Sequence, residues 1–463
     1  MSSFDPYDYF AHEGDYPDLD VGGACARLAE AIRCRTIWQG DRTDWAEFDR
    51  LQALVRASFP HVMAAGTFEL VGHSVLIRIP GSEPELAAAQ LIAHQDVVPV
   101  APGTEGAWEH DAFEGFMDET YVWGRGALDI KDMLMGELEA TEYLLAHGAR
   151  PRRTIVLAFG EDEEVRSTGA TALAATMEER GWRSAWLLDE GTTTFSDGAA
   201  WGAPGCVLTD ICLSQKGYLD LELACDGTPG HSSNPFGGTS LEHLCEAVAR
   251  LSAARPEPEL TPIASELFRQ LSPHISSEPM RTLVADVDAN ADALARECAK
   301  VRELHPFVCT TMAVDQLEGG SAAANVMPGP VRAVVNLRLL PGTTADEVLA
   351  LAERAVEGTG ARVRVLHATP AGRVDSVDGP GYAELREAFE HFHPGAVVVP
   401  SIVCGGTDSV RYERVCGSIL RVCPFRPLPE EEARIHGTNE RIPKRVYAQG
   451  IRLLVRLLEH TVL

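Results

Sequence analysis

The sequence lacks any apolar run long enough to cross a membrane, and basic side chains are scarce among its 463 residues. Lysine and arginine number 40 against 68 aspartates and glutamates, which gives a net charge of −28 at pH 7. Such a charge repels nucleic acid and anionic membrane surfaces, so we expect neither as a partner. The first twenty residues are acidic and aromatic, whereas a signal peptide is basic and then apolar, which predicts a cytoplasmic protein.

Paired cysteines are also lacking. The eleven cysteines are an odd number, and no two of them stand in a C-x-x-C arrangement. Many lie in apolar settings such as "DICLSQ" and "SIVCGG". This pattern predicts reduced thiols in a reducing compartment and argues against both a disulfide framework and a thiolate zinc site.

Over the first two hundred residues, short apolar runs alternate with helical patterns. Strands are predicted for "HSVLIRIP", "AAAQLIAH", "RTIVLAFG" and "SAWLLDEG", and a helix for "MLMGELEATEYLLAHG" between the second and third. The alternation predicts an α/β domain built on a doubly wound, mainly parallel sheet. Sheets of this kind bind ligands outside the carboxyl ends of their strands.

The pattern changes near residue 213. Apart from a polar helical stretch at about 256–305, the following residues show the order β-α-β-β-α-β, which is typical of a ferredoxin-like α+β sheet. We predict that residues 213–369 form a separate lid domain inserted into the first. Residues 1–212 and 370–463 would then together build the larger, metal-binding domain.

The stretch "LIAHQDVVPV" ends an apolar strand with His94 and Asp96. Residues at positions i and i+2 of a strand point to the same face, so these two side chains leave the sheet together. A ligating imidazole usually donates its second N–H to a carboxylate or a carbonyl, and this pair fits that arrangement. Taken alone, the pair is more typical of a solvated strand end with an ordinary salt bridge.

Four further stretches place acidic residues or histidine at strand ends or in loops. Three of them, with His94, lie at the carboxyl ends of predicted parallel strands and should meet in one crevice. Two histidines and three carboxylates would suit two zinc ions, and an unligated acidic neighbour could move protons. The residues are Asp129 in "WGRGALDIKD", Glu163 and Glu164 in "GEDEEVRSTGA", Asp189 in "LLDEG", and His436 in "RIHGTNERI".

These motifs, with two from the inserted domain, resemble the signatures of a known family, in order from about residue 70 to the C-terminus. The sequence is identified as a member of the dizinc metallopeptidase and aminoacylase family that includes carboxypeptidase S, aminoacylase-1 and succinyl-diaminopimelate desuccinylase. It is most similar to the carboxypeptidase S branch, which also contains N-acyl-amino-acid synthase/hydrolases. The stretches are "AHQDVVPV", "WGRGALDIKD", "GEDEEVRSTGA", "LLDEG", "TPGHSSNP", "NVMPG" and "RIHGTNERI".

The resemblance implies two zinc ions per subunit, for which cobalt or manganese could substitute. The resemblance also implies a catalytic domain with a mainly parallel sheet and an inserted lid domain. This is the same fold that the strand and helix pattern predicts. The implied ligands are His94 and Asp189 for one ion, Glu164 and His436 for the other, and Asp129 as the bridge between the two ions.

Two acidic neighbours of these ligands receive roles from the same resemblance. Asp96 would orient His94 from behind, and Glu163 would be the general base that takes a proton from the attacking water. Ile130 departs from the family pattern, in which a polar or small residue often follows the bridging aspartate. We expect this departure to change packing and to leave metal binding intact.

The resemblance also assigns substrate contacts. Arg338 would clamp a free carboxylate with two parallel hydrogen bonds. His231 would donate a hydrogen bond to the tetrahedral oxyanion, either in its own subunit or across a homodimer formed by the lid domain. Without the resemblance, Arg338 fits a surface ion pair and His231 a turn-stabilising side chain. The remaining assigned residues are Asn325, which would bind a polar group of the substrate, and Gly405, Gly406 and Thr407, whose loop would offer backbone donors.

We therefore predict a zinc-dependent hydrolase that cleaves the amide bond next to a free carboxylate in dipeptides or short peptides. The alternative is an N-acyl-amino-acid hydrolase, which needs the same metals and carboxylate clamp but a more apolar acyl pocket. The sequence leaves both hypotheses open. A third hypothesis, a non-catalytic metal-binding scaffold, is disfavoured because Glu163 and every implied ligand are present.

Overall fold

The computed structural model describes residues 6–463 and contains one large sheet, one four-stranded sheet and two small sheets. The strands are β1 (Thr67–Val71), β2 (Ser74–Ile79), β3 (Ala88–His94), β4 (Phe116–Met117), β5 (Tyr121–Trp123), β6 (Ile155–Gly160), β7 (Ser184–Thr192), β8 (Ser196–Asp197), β9 (Val207–Gln215), β10 (Gly217–Cys225), β11 (Gly230–His231), β12 (Thr311–Glu318), β13 (Val326–Met327), β14 (Val331–Leu339), β15 (Arg362–Thr369), β16 (Ala396–Val403), β17 (Cys416–Val422) and β18 (Arg441–Pro443).

Fourteen α-helices accompany these strands within residues 6–463. None of them combines the length and the apolar composition that crossing a bilayer requires. The helices are α1 (Val21–Ile32), α2 (Trp45–Ser58), α3 (Pro60–Ala65), α4 (Lys131–Ala146), α5 (Thr168–Glu179), α6 (Ser240–Ala253), α7 (Pro262–Leu271), α8 (Met280–Leu283), α9 (Ala291–Cys298), α10 (His305–Val308), α11 (Ala345–Val356), α12 (Tyr382–Phe392), α13 (Pro429–Glu432) and α14 (Lys444–Val462).

The large sheet has the strand order β1-β2-β6-β3-β7-β17-β9-β16, with β8 paired to β9. Its centre is parallel, since β3 runs parallel to both β6 and β7, and β17 runs parallel to β7. Every residue of β3 and β6 is buried, as expected for strands covered on both faces. The carboxyl ends of β3, β6 and β7 therefore meet at one edge of the sheet.

Helices cover both faces of this sheet. Leu91 of β3 packs into the apolar core shared with α1, α4 and α14, whereas its neighbour Ile92 packs against Leu173 and Met177 of α5 on the other face. Successive strand residues thus supply both cores, because their side chains alternate between faces. The predicted doubly wound, mainly parallel α/β architecture is confirmed.

The four-stranded sheet has the order β12-β14-β10-β15, and all its pairs are antiparallel. Helices α6 and α11 cover one face, which gives the predicted β-α-β-β-α-β arrangement. Both helices begin with a complete capping box, Thr239 with Glu242 and Thr344 with Glu347. In each box the two side chains satisfy backbone N–H groups that a helix start leaves unpaired, which fixes where the helix begins.

The contacts of two segments differ from the predicted domain division. Position 213 lies inside β9, which belongs to the large sheet. The polar helical stretch also joins the large domain, because Leu267 and Phe268 of α7 pack with Trp201 and Val399. The three-part division remains a prediction, and these contacts lead us to propose a smaller inserted domain of residues 217–253 and 310–369.

All eleven cysteines are free thiols, and eight of them are buried. Cys404 follows β16 and is partly buried, with its thiol pKa raised to about 11 by burial. A thiol held in this way is a poor nucleophile, so it fills space beside the glycine loop.

Candidate metal centre

His94 is the last residue of β3 and is almost fully buried. Its Nε2 atom lies 3.2 Å from Oδ1 of Asp129 and 3.8 Å from Oε1 of Glu190. These three side chains offer ligand atoms that all lie within 4.8 Å of one another. One imidazole and two carboxylates at this spacing form a candidate site for a divalent cation.

Asp96 is completely buried behind His94. Its carbonyl oxygen lies 2.9 Å from Nδ1 of His94, and its carboxylate oxygen Oδ1 lies 3.4 Å from the same atom. The carboxylate also accepts hydrogen bonds from the backbone N–H groups of Glu163 and Glu164, at 3.1 and 3.3 Å. A single side chain therefore fixes the imidazole and the backbone of both glutamates, which is a wider positioning role than the sequence indicated.

Asp129 closes a glycine-rich turn just before α4. The turn is held by Glu440, whose Oε1 atom accepts hydrogen bonds from the N–H groups of Gly126 and Leu128, each at 2.9 Å. The other oxygen of Glu440 forms a buried ion pair with Arg125. The sequence analysis assigned no role to Glu440. Its position four residues after the candidate ligand His436 could have indicated that it supports the site.

Asp129 also belongs to a second group of three. Its Oδ2 atom lies 2.9 Å from Nε2 of His436, and that nitrogen lies 3.2 Å from Oε1 of Glu164. His436 adopts left-handed backbone geometry (φ 62°), which residues other than glycine rarely adopt and which often marks functional sites. The two oxygens of Asp129 thus face two separate groups, as a bridging carboxylate would.

Asp189 lies outside both groups, and its neighbour Glu190 occupies the predicted position. The two residues are consecutive in β7, so their side chains point to opposite sides. The Asp189 carboxylate turns to the N–H of Ser409 at 2.9 Å, near Arg421. Since Glu190 is the one beside His94, we take Glu190 as the candidate ligand here, and the assignment of Asp189 stays a prediction.

The donor set fits two divalent cations. All its atoms are imidazole nitrogens or carboxylate oxygens, which suit zinc and other borderline or hard ions. Four ionised carboxylates would gather in one place, and two divalent cations would balance their charge. The carboxylates are those of Asp129, Glu163, Glu164 and Glu190, and the imidazoles are those of His94 and His436.

The protonation preferences of these residues follow from their contacts. Hydrogen bonds to Asp129 and Glu164 raise the pKa of His436 to about 10. Burial opposes protonation of His94, but its contacts with Asp129 and Asp96 raise its pKa well above the usual value. Protons therefore compete with cations for the same lone pairs, so metal binding should weaken as the pH falls.

Glu163 stands apart from both groups of three, although it lies in the same cleft. Burial raises the pKa of its carboxyl well above the usual value, and the charge of Glu190 adds to the shift. A carboxylate that holds a proton readily and is not itself one of the clustered ligand atoms has the properties of a general base.

The metal centre opens into a cleft of about 960 Å³ between the two domains, called the central cleft below. Four predicted substrate residues line it: Arg338 from β14, and Gly405, Gly406 and Thr407 from the loop after β16. The whole lining is Asp129, Glu163, Glu164, Val165, Arg166, Ser167, Thr168, Glu190, Gln215, Lys216, Tyr218, Asp220, Arg338, His367, Thr369, Gly405, Gly406, Thr407, Val410, Arg411 and His436.

The glycine loop is anchored by buried polar side chains that sequence reasoning missed. Oε1 of Gln215 accepts hydrogen bonds from the N–H and hydroxyl groups of Thr407, at 3.3 and 3.0 Å, and from Nε of Arg421 at 3.1 Å. Nε of Arg421 also donates to the Ser409 hydroxyl at 2.8 Å. These residues come from β9 and β17, so only the folded sheet shows that they support the loop.

Two predicted residues of the inserted domain lie elsewhere. His231 is exposed on the two-stranded sheet β11–β13, where it pairs with Val326, and its Nδ1 atom contacts the Ser233 hydroxyl at 2.8 Å. Asn325 is also exposed, and its carbonyl accepts a hydrogen bond from the N–H of Ser232. The residues that line the central cleft include neither of them.

Comparison with known proteins agrees with this geometry. Residues 91–460 match the model of peptidase family M20/M25/M40. The chain belongs to this family. Family members are metal dependent, and the two groups of three residues described above are candidate metal-binding clusters. The protein is therefore a hydrolase that acts on amide C–N bonds.

Individual relatives fall into two groups of named activity. The chain is 30% identical to the N-fatty-acyl-amino acid synthase/hydrolase PM20D1 of Xenopus tropicalis, over 94% of this chain and 85% of that one. It is 32% identical to carboxypeptidase S of Saccharomyces cerevisiae, over 72% of this chain and 59% of that one. Among solved structures, the M20 family metallo-carboxypeptidase Sso-CP2 from Sulfolobus solfataricus has the same fold, with a TM-score of 0.68 and 18% identity, over 94% of this chain and 98% of that one.

Proposed function

We propose that the protein hydrolyses the amide bond next to a free carboxylate, using two zinc ions held by His94, Asp129, Glu190, Glu164 and His436. The observation that carries this proposal is the pair of three-residue groups that share Asp129 and open into the same cleft as Glu163 and Arg338. Cobalt or manganese would suit the same donor set.

The residues divide the work of hydrolysis. Bound divalent cations would polarise the scissile carbonyl and acidify the attacking water. Glu163 accepts the proton of that water and passes it to the leaving nitrogen, so that a neutral amine departs. Arg338 binds the free carboxylate through its planar fork, and the N–H groups of Gly405 and Gly406 offer donors to the same substrate.

Short peptides are the leading substrate class. The lining of the central cleft is mostly polar or charged, and its aliphatic side chains are those of Val165 and Val410. A cleft of this composition suits peptide groups and charged termini better than a long acyl chain. N-acyl amino acids are the second candidate, because the relatives named for fatty-acyl substrates cover most of this chain.

The free thiols support the further proposal that the protein works in the cytoplasm, where such thiols stay reduced.

The test is release of free amino acid by zinc-loaded protein from two matched panels, dipeptides and long-chain N-acyl amino acids, each with a chelator control. We expect chelator-sensitive release from dipeptides. Greater release from the acyl panel would make the N-acyl-amino-acid hydrolase the better proposal. Silence on both panels, with two zinc ions bound, would overturn the substrate class.

A further inference from the structure

Three arginines line the central cleft, Arg166, Arg338 and Arg411. Within residues 6–463, none of them forms an ion pair with a carboxylate. The chain has far more acidic than basic residues, and many of its other arginines are paired, as Arg364 is with Glu222 at 2.7 Å. Unpaired cations gathered in a cleft of an acidic protein point to an anionic ligand.

Arg411 is the one of the three that lies next to the glycine loop. It lies in a short 3-10 helical segment, Asp408–Tyr412, directly after the glycine loop, and Asp408 and Tyr412 are buried on either side of it. Its Nε atom is buried and has no hydrogen-bond partner among the described residues. Because the Arg411 side chain also lines the cleft, a carboxylate bound there would give this guanidinium the anion partner that it lacks.

The other cationic side chains of the cleft have contacts that Arg411 lacks. Arg338 stacks on the ring of Tyr218, with its guanidinium carbon 4.8 Å from the ring centroid. Arg166 is exposed and lies over Trp38 at 5.2 Å. Nζ of Lys216 donates a hydrogen bond to the Cys309 carbonyl at 2.7 Å.

Arg338 and Arg411 project from different domains, the first from β14 and the second from the large domain. The carboxylate beside the scissile amide needs one planar fork, which leaves the second arginine for another group. We propose that Arg411 binds a second carboxylate of the substrate, so that preferred substrates are dipeptides with an acidic side chain. This inference rests on the proposed amide hydrolysis and names its substrate class.

The first test compares kcat/KM for the near-isosteric pairs Gly-Glu with Gly-Gln and Asp-Gly with Asn-Gly. We expect the wild type to favour the acidic member of at least one pair by about tenfold or more, as for a charge-assisted hydrogen bond. Arg411→Met should abolish this ratio, and Arg411→Lys should restore part of it. An unchanged ratio in Arg411→Met, or no acidic preference in the wild type, would overturn the inference.

Arg414→Met is the matched control. Arg414 lies three residues further along, is exposed, and pairs with Glu178 at 2.8 Å outside the cleft. Its substitution should leave the acidic preference unchanged. Arg338→Met should instead weaken acidic and neutral substrates alike, because both carry the free carboxylate that Arg338 is proposed to bind.

A binding test separates this inference from the proposed function. Titration calorimetry of zinc-loaded protein with glutarate and with its monoamide, glutaramate, reports the value of a second carboxylate without any hydrolysis. Tighter glutarate binding that Arg411→Met removes would support the anion site even if no amide is cleaved. Cleavage of amides with equal binding of the two ligands would leave the proposed function standing and reject the role of Arg411.

Discussion

The two domains hold their site residues in different ways. In the large domain, His94 and Glu190 lie at or near the ends of buried parallel strands, and both lie within 4 Å of another candidate ligand. In the inserted domain, His231 is exposed on a sheet of two-residue strands, and Asn325 is exposed in the turn just before one of them. The candidate metal ligands therefore all come from the large domain, whereas His231 and Asn325 would need a domain movement or a second subunit to reach them.

Arg338 shows that the difference depends on the secondary structure more than on the domain. It belongs to the inserted domain but lies on β14, in the middle of a paired sheet, and it lines the central cleft. A strand paired on both sides fixes the direction of its side chains, whereas a short hairpin in an exposed loop fixes them less well.

The largest effect is expected at the proposed base. Glu163→Gln keeps the size and shape of the side chain but cannot accept the proton of the water. Turnover should fall by at least about 100-fold, while elemental analysis should show the same metal content as in the wild type. Turnover within tenfold of the wild type would rule out Glu163 as the base.

Glu190→Gln and Asp189→Asn form a matched pair on adjacent strand positions. Because Glu190 faces His94, Glu190→Gln should lower the metal content, measured after dialysis against metal-free buffer. Asp189→Asn should keep its metals and lose about 1–3 kcal/mol of unfolding free energy, since Ser409 and Arg421 lose a buried anion. The opposite pattern, with metal lost only from Asp189→Asn, would restore the ligand set inferred from sequence.

This pair also shows what could be predicted from sequence. The strand and its acidic end were evident from "SAWLLDEG", and the fold class and family are confirmed. Adjacent strand residues point to opposite faces of the sheet, so only one of these two carboxylates can face the candidate metal site. The local sequence does not show which of the two it is. For His94 and Asp96 the i, i+2 spacing predicted side chains on one side, although β3 ends at His94 and Asp96 lies in the loop after it.

The supporting contacts were harder to predict for a related reason. Gln215, Arg421 and Glu440 act on loops that are distant in sequence, so their roles depend on which strands become neighbours. The helical stretch around α7 likewise packs on the large domain through side chains whose partner surface exists only after folding.

The exposed lid histidine gives the next prediction. If His231 reaches the reacting carbonyl during catalysis, His231→Ala should lower kcat by about 100-fold with little change in KM, as for the loss of one oxyanion donor. Mixing His231→Ala with Glu163→Gln distinguishes the source of the histidine. Restored activity would indicate a homodimer in which one subunit completes the site of the other, and no restoration would indicate closure within one chain. Activity of His231→Ala within threefold of the wild type would remove the residue from the mechanism.

The smallest predicted effect concerns a buried histidine of the large domain that lies outside the candidate metal site. His393 is 1% exposed and packs among the rings of Phe10, Phe195 and Phe389. Burial lowers its pKa from 6.5 to about 3, and the nearby charge of Arg426 acts in the same direction. The unfolded chain therefore binds a proton between these two pH values that the folded chain does not, so this residue makes stability fall as the pH drops below 6.5.

His393→Leu should remove that dependence, because leucine does not titrate. Between pH 7.5 and pH 5.0, the wild type should lose up to about 2 kcal/mol more unfolding free energy than the variant, measured by urea denaturation at both values. Any other group that titrates in this range is present in both proteins, so its contribution cancels in the difference. Equal losses in the two proteins would mean that His393 binds its proton equally well in the folded and unfolded chains, and that burial among aromatic rings does not control its charge.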